Sequence, residues 1–218
     1  MRTIRVTGKG KLKVHPDMTK IGIALEGTYK EYGDALRHSA EDTEQLKDML
    51  EPLGFMRSDL KTLSFGVDTE YERYKEKEVY KQRFAGYKYT HRMKVEFESD
   101  NKRLGKVLYA LANCVLNPEF QLSYTVKEPE AVKNELLGKA VQDAIAKAGV
   151  LSAAAGVKLG GIQSVDYSWG EINFEFSPMS RRMEGLSSCM EPLGSYDMDI
   201  EPDDIDVEDT VTVIWEIV

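Results

Sequence analysis

Between residues 19 and 126 the apolar spacing changes from strand-like to helical and back, and then does so a second time. A strand repeats every two residues and a helix every 3.6, so each change marks an element boundary. In the first copy, residues 19–27 have strand character. Leu36, Ala40, Leu46, Leu50 and Leu53 then recur at helical spacing from Asp34 until Pro52 and Gly54 stop them. Strand character returns from Leu60 to about Tyr74. In the second copy, Tyr87, Tyr89, His91, Met93, Val95 and Phe97 alternate with Lys88, Thr90, Arg92, Lys94, Glu96 and Glu98. Ser99 and Asp100 are placed to cap a helix carrying Leu104, Val107, Leu108 and Leu111, and Phe120, Leu122, Tyr124 and Val126 alternate again. The charged run YKEKEVYKQR between the copies predicts the turn of a long exposed hairpin. The fold class is α+β, with two units of related shape.

The chain opens with IRVTGKGKLKV at residues 4–14, whose two glycines invite comparison with a phosphate cradle. Such a cradle needs a third glycine or a Gly-Lys-Ser/Thr ending with a helix directly behind it, and neither is present. The run alternates instead, with Ile4, Val6, Gly8, Gly10, Leu12 and Val14 on one side, as a half-buried strand does. Its glycines mark a place where another backbone or a helix comes close. After Pro16 and Asp17 the next strand is expected to lie antiparallel to it.

Pro129 is suited to the first position of a helix of about 27 residues, some 40 Å long, ending near Gly156. Ala140, Ala144, Ala148 and Ala155 give it a shallow stripe, and Val132, Leu136, Val141 and Leu151 add apolar area. A strand over residues 162–169 and a closing strand with Val207, Val211, Val213, Trp215 and Ile217 on one side complete the α+β pattern. Residues 170–206 between them are the least regular.

A chain of 218 residues with 42% hydrophobic side chains can bury a sizeable core. Its net charge of -8 argues against nucleic-acid or anionic-membrane partners, which reward basic surfaces. Five basic and no acidic residues in the first fourteen are a solvated strand face. No membrane-spanning apolar stretch is present, and no basic and apolar leader precedes the first strand. The expected location is therefore cytoplasmic, or periplasmic or envelope if an export signal has been removed. Cys114 and Cys189 lie too far apart in sequence to suggest a zinc site or a disulfide framework, and Cys114 is expected to be a small buried hydrophobe.

Candidate chemistry is sparse. His15, His38 and His91 lack a second ligand at metal-binding spacing, and no cofactor or catalytic constellation is expected. His91 lies on the aromatic side of its strand, either as a satisfied core or interface histidine or as a pocket acid/base. With Tyr71, Tyr74 and Tyr87 it forms a candidate binding surface. Asp197, Asp199, Glu201, Asp203 and Glu208 match the ligand positions of a calcium loop, but Pro202 replaces the glycine of its turn, and a solvated acidic loop is expected. Met179, Met183, Met190 and Met198 with Phe174, Phe176 and Leu186 suit an adaptable contact surface, or a flap over the sheet.

Several stretches taken together resemble the SIMPL-domain family. They are IRVTGKG at the start, HPD at residues 15–17, SDLKTLSF at 58–65, the tyrosine-bearing hairpin with Tyr71 and Tyr74 leading to AGY at 85–87, AGVKLGGI at 155–162, and VEDTVTVIWEI at the end. The resemblance implies a two-part α+β fold with antiparallel sheets packed by helices. An outer unit would come from residues 1–80 plus 160–218, and a ferredoxin-like inner unit with the long helix from residues 81–159. It also implies homo-oligomers, ring- or channel-like in some members, and brings no agreed reaction or cofactor. The function expected is a non-enzymatic, self-associating scaffold with a protein partner in prospect, linked to envelope or oxidative stress. The alternative is a small-molecule or peptide binding module using Tyr71, Tyr74, Tyr87 and His91.

Overall fold

The computed structural model describes residues 2–76, 79–167, 172, 174–177 and 200–218, without the side chain of residue 76. The elements in chain order are β1 (Thr3–Val14), β2 (Met18–Tyr29), α1 (Tyr32–Leu50), β3 (Lys61–Glu76), β4 (Val79–Glu98), α2 (Asn101–Ala112), β5 (Glu119–Thr125), α3 (Pro129–Ala154), β6 (Leu159–Asp166) and β7 (Ile205–Ile217). They form two compact units with two antiparallel sheets, the α+β class expected.

The first unit holds β2, α1, β3, β4, α2 and β5, with strand order β3-β4-β2-β5. Strand–helix–strand, repeated, with that order is the ferredoxin-like arrangement. It arises because β2 and β4 carry the cleanest alternation and pair from Met18↔Glu98 to Tyr29↔Tyr87 at the centre of the sheet. Ile21, Ile23 and Leu25 of β2, with Tyr89, Met93, Val95 and Phe97 of β4, are buried with Leu46 and Leu50 of α1 and Leu104, Val107 and Leu111 of α2. Asp100 caps α2 through Oδ1, which accepts from the Lys102 and Arg103 amides at 2.9 and 3.3 Å. The Arg103 guanidinium lies 4.1 Å from the Phe55 ring centre and 5.1 Å from that of Phe97, and donates to the Gly54 carbonyl at 2.9 Å. One cation thus ties the start of α2 to the turn after α1.

The second unit holds β1, α3, β6 and β7, in strand order β1-β7-β6. Here the opening glycines find their reason. A Cβ on Gly8 would stand 2.0 Å from the Ala140 carbonyl oxygen and 2.4 Å from the Ala144 nitrogen, and one on Gly10 would stand 2.2 Å from the Leu136 carbonyl oxygen. Helix α3 lies directly on the β1 backbone, and Leu136, Ala140, Ala144 and Ala148 are fully buried along a strict four-residue step. That step selects Ser152 as the next buried residue and leaves the expected Ala155 and Leu151 exposed. Val6, Val211, Val213 and Trp215 complete this core. On β1's other side Lys9 pairs with Glu208 at 2.7 Å, Lys13 with Asp206 at 3.9 Å and Arg5 with Asp166 at 4.0 Å, so acids of β6 and β7 answer the basic run.

Several expectations change. β1 does not pair with β2; its whole length is matched to β7, from Thr3↔Glu216 to Val14↔Ile205. The Pro16–Asp17 stretch does not close a hairpin, because the Asp17 amide donates to the Thr125 carbonyl at 3.2 Å and its Oδ1 accepts from the Lys127 amide at 2.7 Å. The partition expected from the sequence sets 1–80 plus 160–218 apart from 81–159. The β2–β4 pairing, however, joins residues 18–80 to 81–124, and α3 packs with the chain ends. β6 begins three residues earlier than expected, and Trp169 lies outside the described residues. Most of the charged run expected as a turn is ladder. Cys114 is half-buried in the turn after α2, not fully buried in the core, and Cys189 lies outside the described residues.

Candidate functional site

Pairing of β2 with β4 ends at Tyr29↔Tyr87, while β3 and β4 continue together to Glu76↔Val79. Residues 70–76 and 79–86 therefore form a two-stranded arm beyond the four-stranded sheet. A bulge at its root, between Glu70 and Tyr71, reorients the side chains beyond it. Gly86 sits there at a φ of 155°, and a Cβ on it would stand 2.3 Å from the Tyr29 carbonyl oxygen.

The arm carries the tyrosines singled out in the sequence, but does not gather them. Tyr71 is 55% exposed and meets Phe84 edge-to-face at 5.9 Å; Phe84 meets Tyr87 at 5.3 Å, and Tyr87 meets Tyr32 at 5.5 Å. These four rings make one aromatic strip. Tyr74, three residues on from Tyr71, falls on the opposite side of its strand. There it lies under the Arg83 guanidinium, 5.7 Å from the ring centre, and Arg83 also binds Glu72. That hydrogen bond holds the Glu72 carboxyl below the usual range and raises Arg83. Phe84 and Tyr32 escaped the sequence reading, although the alternation through the hairpin was a usable signal for Phe84.

His91 is buried on the helix side of β4, a satisfied core histidine. Nδ1 lies 3.0 Å from Thr43 Oγ1 and Nε2 lies 2.9 Å from Thr62 Oγ1, with Phe65 edge-on at 5.3 Å. The donor count fixes the proton. Thr43 Oγ1 donates its single hydrogen to the Ser39 carbonyl at 2.7 Å, so it accepts from Nδ1–H, and in the neutral ring Nε2 accepts from Thr62. Leu36, Ala40, Glu44 and Phe65 help to line an open hollow of about 330 Å³ over this ring. Burial, and then the Lys47 charge, push His91 below its ordinary value.

The sign of the resulting pH dependence follows. An unfolded histidine takes up its proton near pH 6.5, whereas folded His91 resists it, so the unfolded chain binds more protons below that pH. The contribution to stability is complete above pH 6.5 and is lost as pH falls through and below it. Replacing His91→Gln is expected to flatten the fall in Tm between pH 7.5 and pH 5.5 relative to the parent chain. Equal falls in the two proteins would dismiss this role.

Behind His91 a second aromatic group escaped the sequence reading. Tyr89 donates to Asp42, Tyr29 stacks on His38 at 4.3 Å, and Gly27 leaves the room that both tyrosines occupy. Burial foremost, and Asp42 after it, raise the Tyr89 hydroxyl well above its ordinary value. The other histidine, His15, faces Asp204 at 3.3 Å. Among the described residues no group of three His, Cys, Asp or Glu side chains could hold a metal ion. Of the calcium-loop candidates, Glu208 is paired with Lys9, while Asp197 and Asp199 lie outside the described residues, as do Met179, Met183, Leu186, Met190 and Met198. Phe174 is buried beside Leu136 and Val207, with Phe176 packed against them. No helix among the described residues is long and apolar enough to cross a membrane.

Comparison with known proteins gives a consistent picture. The profile of the family described as SIMPL, protein of unknown function (DUF541), matches residues 4–215. The 26 kDa periplasmic immunogenic protein of Brucella melitensis is 28% identical over 163 residues, 74% of this chain and 65% of that protein. The uncharacterized protein YggE of Escherichia coli K12 is 24% identical over 214 residues, 98% of this chain and 82% of that protein. The match therefore spans just under two thirds of the Brucella protein's length.

Proposed function

The chain belongs to the SIMPL family, and from that premise we propose that it is a non-enzymatic, self-associating protein whose arm of β3 and β4 makes contact with further copies. The arm carries this reading. A two-stranded ribbon is marginally stable on its own in water. This one also exposes Tyr71, Val79, Tyr80 and Phe84 at 55, 59, 75 and 42%, with an edge on either side that no described residue pairs. Exposed edges and apolar side chains of this kind favour coverage by another chain. A periplasmic or envelope setting, with a part in stress defence and a protein partner, accords with this reading, and the name of the Brucella relative supports the compartment.

A second reading, a small-molecule or peptide module using Tyr71, Tyr74, Tyr87 and His91, draws support from the strip that joins Tyr71 to Tyr87. The buried position of His91 and the opposite facing of Tyr74 favour the first.

Light scattering on a sizing column tests the proposal. The untagged chain is expected as one species at a multiple of 24.6 kDa, unchanged on dilution, and the double variant Tyr71→Ser, Phe84→Ser is expected to fall to a smaller species without loss of fold. A parent chain running as a monomer, or an undiminished double variant, would count decisively against it.

A further inference from the structure

The face of the ferredoxin-like sheet turned away from its helices carries a hollow of about 500 Å³ that none of the readings above uses. Gly22 and Ala24 of β2 form its floor, Leu63 of β3 flanks it, and Arg92 of β4 and Glu119 of β5 line it from opposite sides of β2. Its volume is that of a small-ligand site.

A bulge between Thr62 and Ser64 places Leu63 here, 56% exposed. Gly22 is not demanded by close approach, since a Cβ on it would meet only the Gln121 carbonyl oxygen at 3.8 Å, an ordinary contact. Its missing side chain deepens the floor. Arg92 and Glu119 are opposite charges on one hollow, yet among the described residues neither forms an ion pair or a side-chain hydrogen bond, in contrast to the neighbouring Lys88–Glu26 and Lys94–Glu96 pairs. The strands of Arg92 and Glu119 are two steps apart, about 10 Å, which leaves a body's width over the glycine.

We propose that this hollow binds a small zwitterion of dipeptide size with apolar side chains. Its carboxylate lies on the Arg92 guanidinium and its ammonium group on Glu119, while an apolar side chain lies against Leu63. A simple anion would meet the Glu119 charge and a simple cation that of Arg92, so only a ligand carrying both charges satisfies both ends.

Calorimetric titration of the full chain with leucyl-leucine tests this. Saturable binding at one ligand per chain is expected. Arg92→Ala and Glu119→Gln should each weaken it by about tenfold or more. The same dipeptide acetylated at its N-terminus and amidated at its C-terminus should not bind. Gly22→Leu, which fills the floor, should abolish binding while leaving Tm unchanged. Absence of heat up to about 10 mM ligand, or charge variants that bind as the parent does, overturns the proposal. Native mass is read separately, so this result and that of the assembly test stand independently.

Discussion

Gly8→Ala is expected to lower the melting temperature more than Gly10→Ala, whose added carbon would have one contact under 3 Å, at 2.2 Å from the Leu136 oxygen. The carbon added at Gly8 would stand 2.0 Å from the Ala140 oxygen and 2.4 Å from the Ala144 nitrogen, both backbone atoms of α3. A rotamer change cannot relieve the clash, so the helix must lift from the sheet. Lifting opens the contact of Val6, Val211, Val213 and Trp215 with Ala140, Ala144 and Ala148. Overpacking of this kind costs about 1–3 kcal/mol, and the rigid partner places Gly8 at the upper end. For a chain of this size that corresponds to a fall in Tm of about 6–12 °C. Ala144→Gly should not rescue the variant, because the helix backbone would still clash. Gly138→Ala and Gly149→Ala on α3, where a Cβ meets nothing within 4 Å, should be neutral or stabilising. A Gly8→Ala protein that melts with the parent would remove the close-approach account of the opening motif.

Gly86→Ala combines two costs. Its φ of 155° is one that side chains with a Cβ rarely adopt, and its Cβ would meet the Tyr29 oxygen at 2.3 Å. Backbone strain and overpacking cost about 1–3 kcal/mol each, so a fall in Tm of order 10 °C is expected. The comparison is Gly66→Ala on β3, where the added carbon meets nothing within 4 Å and the melt should hardly move. Gly86 stands at the root of the arm, so the same variant should disturb the β2–β4 ladder next to Tyr29↔Tyr87 first. Amide exchange that remains slow at Tyr87 and Tyr89 in a folded Gly86→Ala protein would show that the bulge tolerates a side chain.

The legible parts of the fold were those whose signal is local. Tyr87 to Phe97 alternate without interruption because that face is buried, and Asp100 caps α2 by bonding two amides within three residues. The opening glycines could be read because a strand with Gly on its apolar side implies a close neighbour, though not which one. What could not be read was distant pairing: nothing in residues 4–14 names β7, some 200 positions away, in preference to β2 next door. The ribbon of β3 and β4 was taken for a turn because its charges resemble solvent-exposed loop, whereas Glu72 and Arg83 face each other across a ladder. At the candidate site, the three-residue spacing of Tyr71 and Tyr74 puts them on opposite sides of a strand, a signal that grouping them on one surface passes over. The tautomer of His91 needed Thr43 and Thr62, which only the folded chain brings to it. Arg92 and Glu119 gave no sequence signal, since what marks them is the absence of a bond.

The full-length pairing of β1 with β7 has a consequence for biosynthesis. The first strand leaves the ribosome 191 residues before Ile205, the residue matched to Val14, emerges. At ordinary elongation rates that interval is on the order of ten seconds or more, during which residues 18–124 can already complete their own sheet and core. Throughout it β1 is a free strand with an unsatisfied edge on both sides. Lys9, Lys11 and Lys13, spaced along its outward side, repel a second copy of the same strand, so the charges that later pair with Glu208 and Asp206 first keep the waiting strand from aggregating.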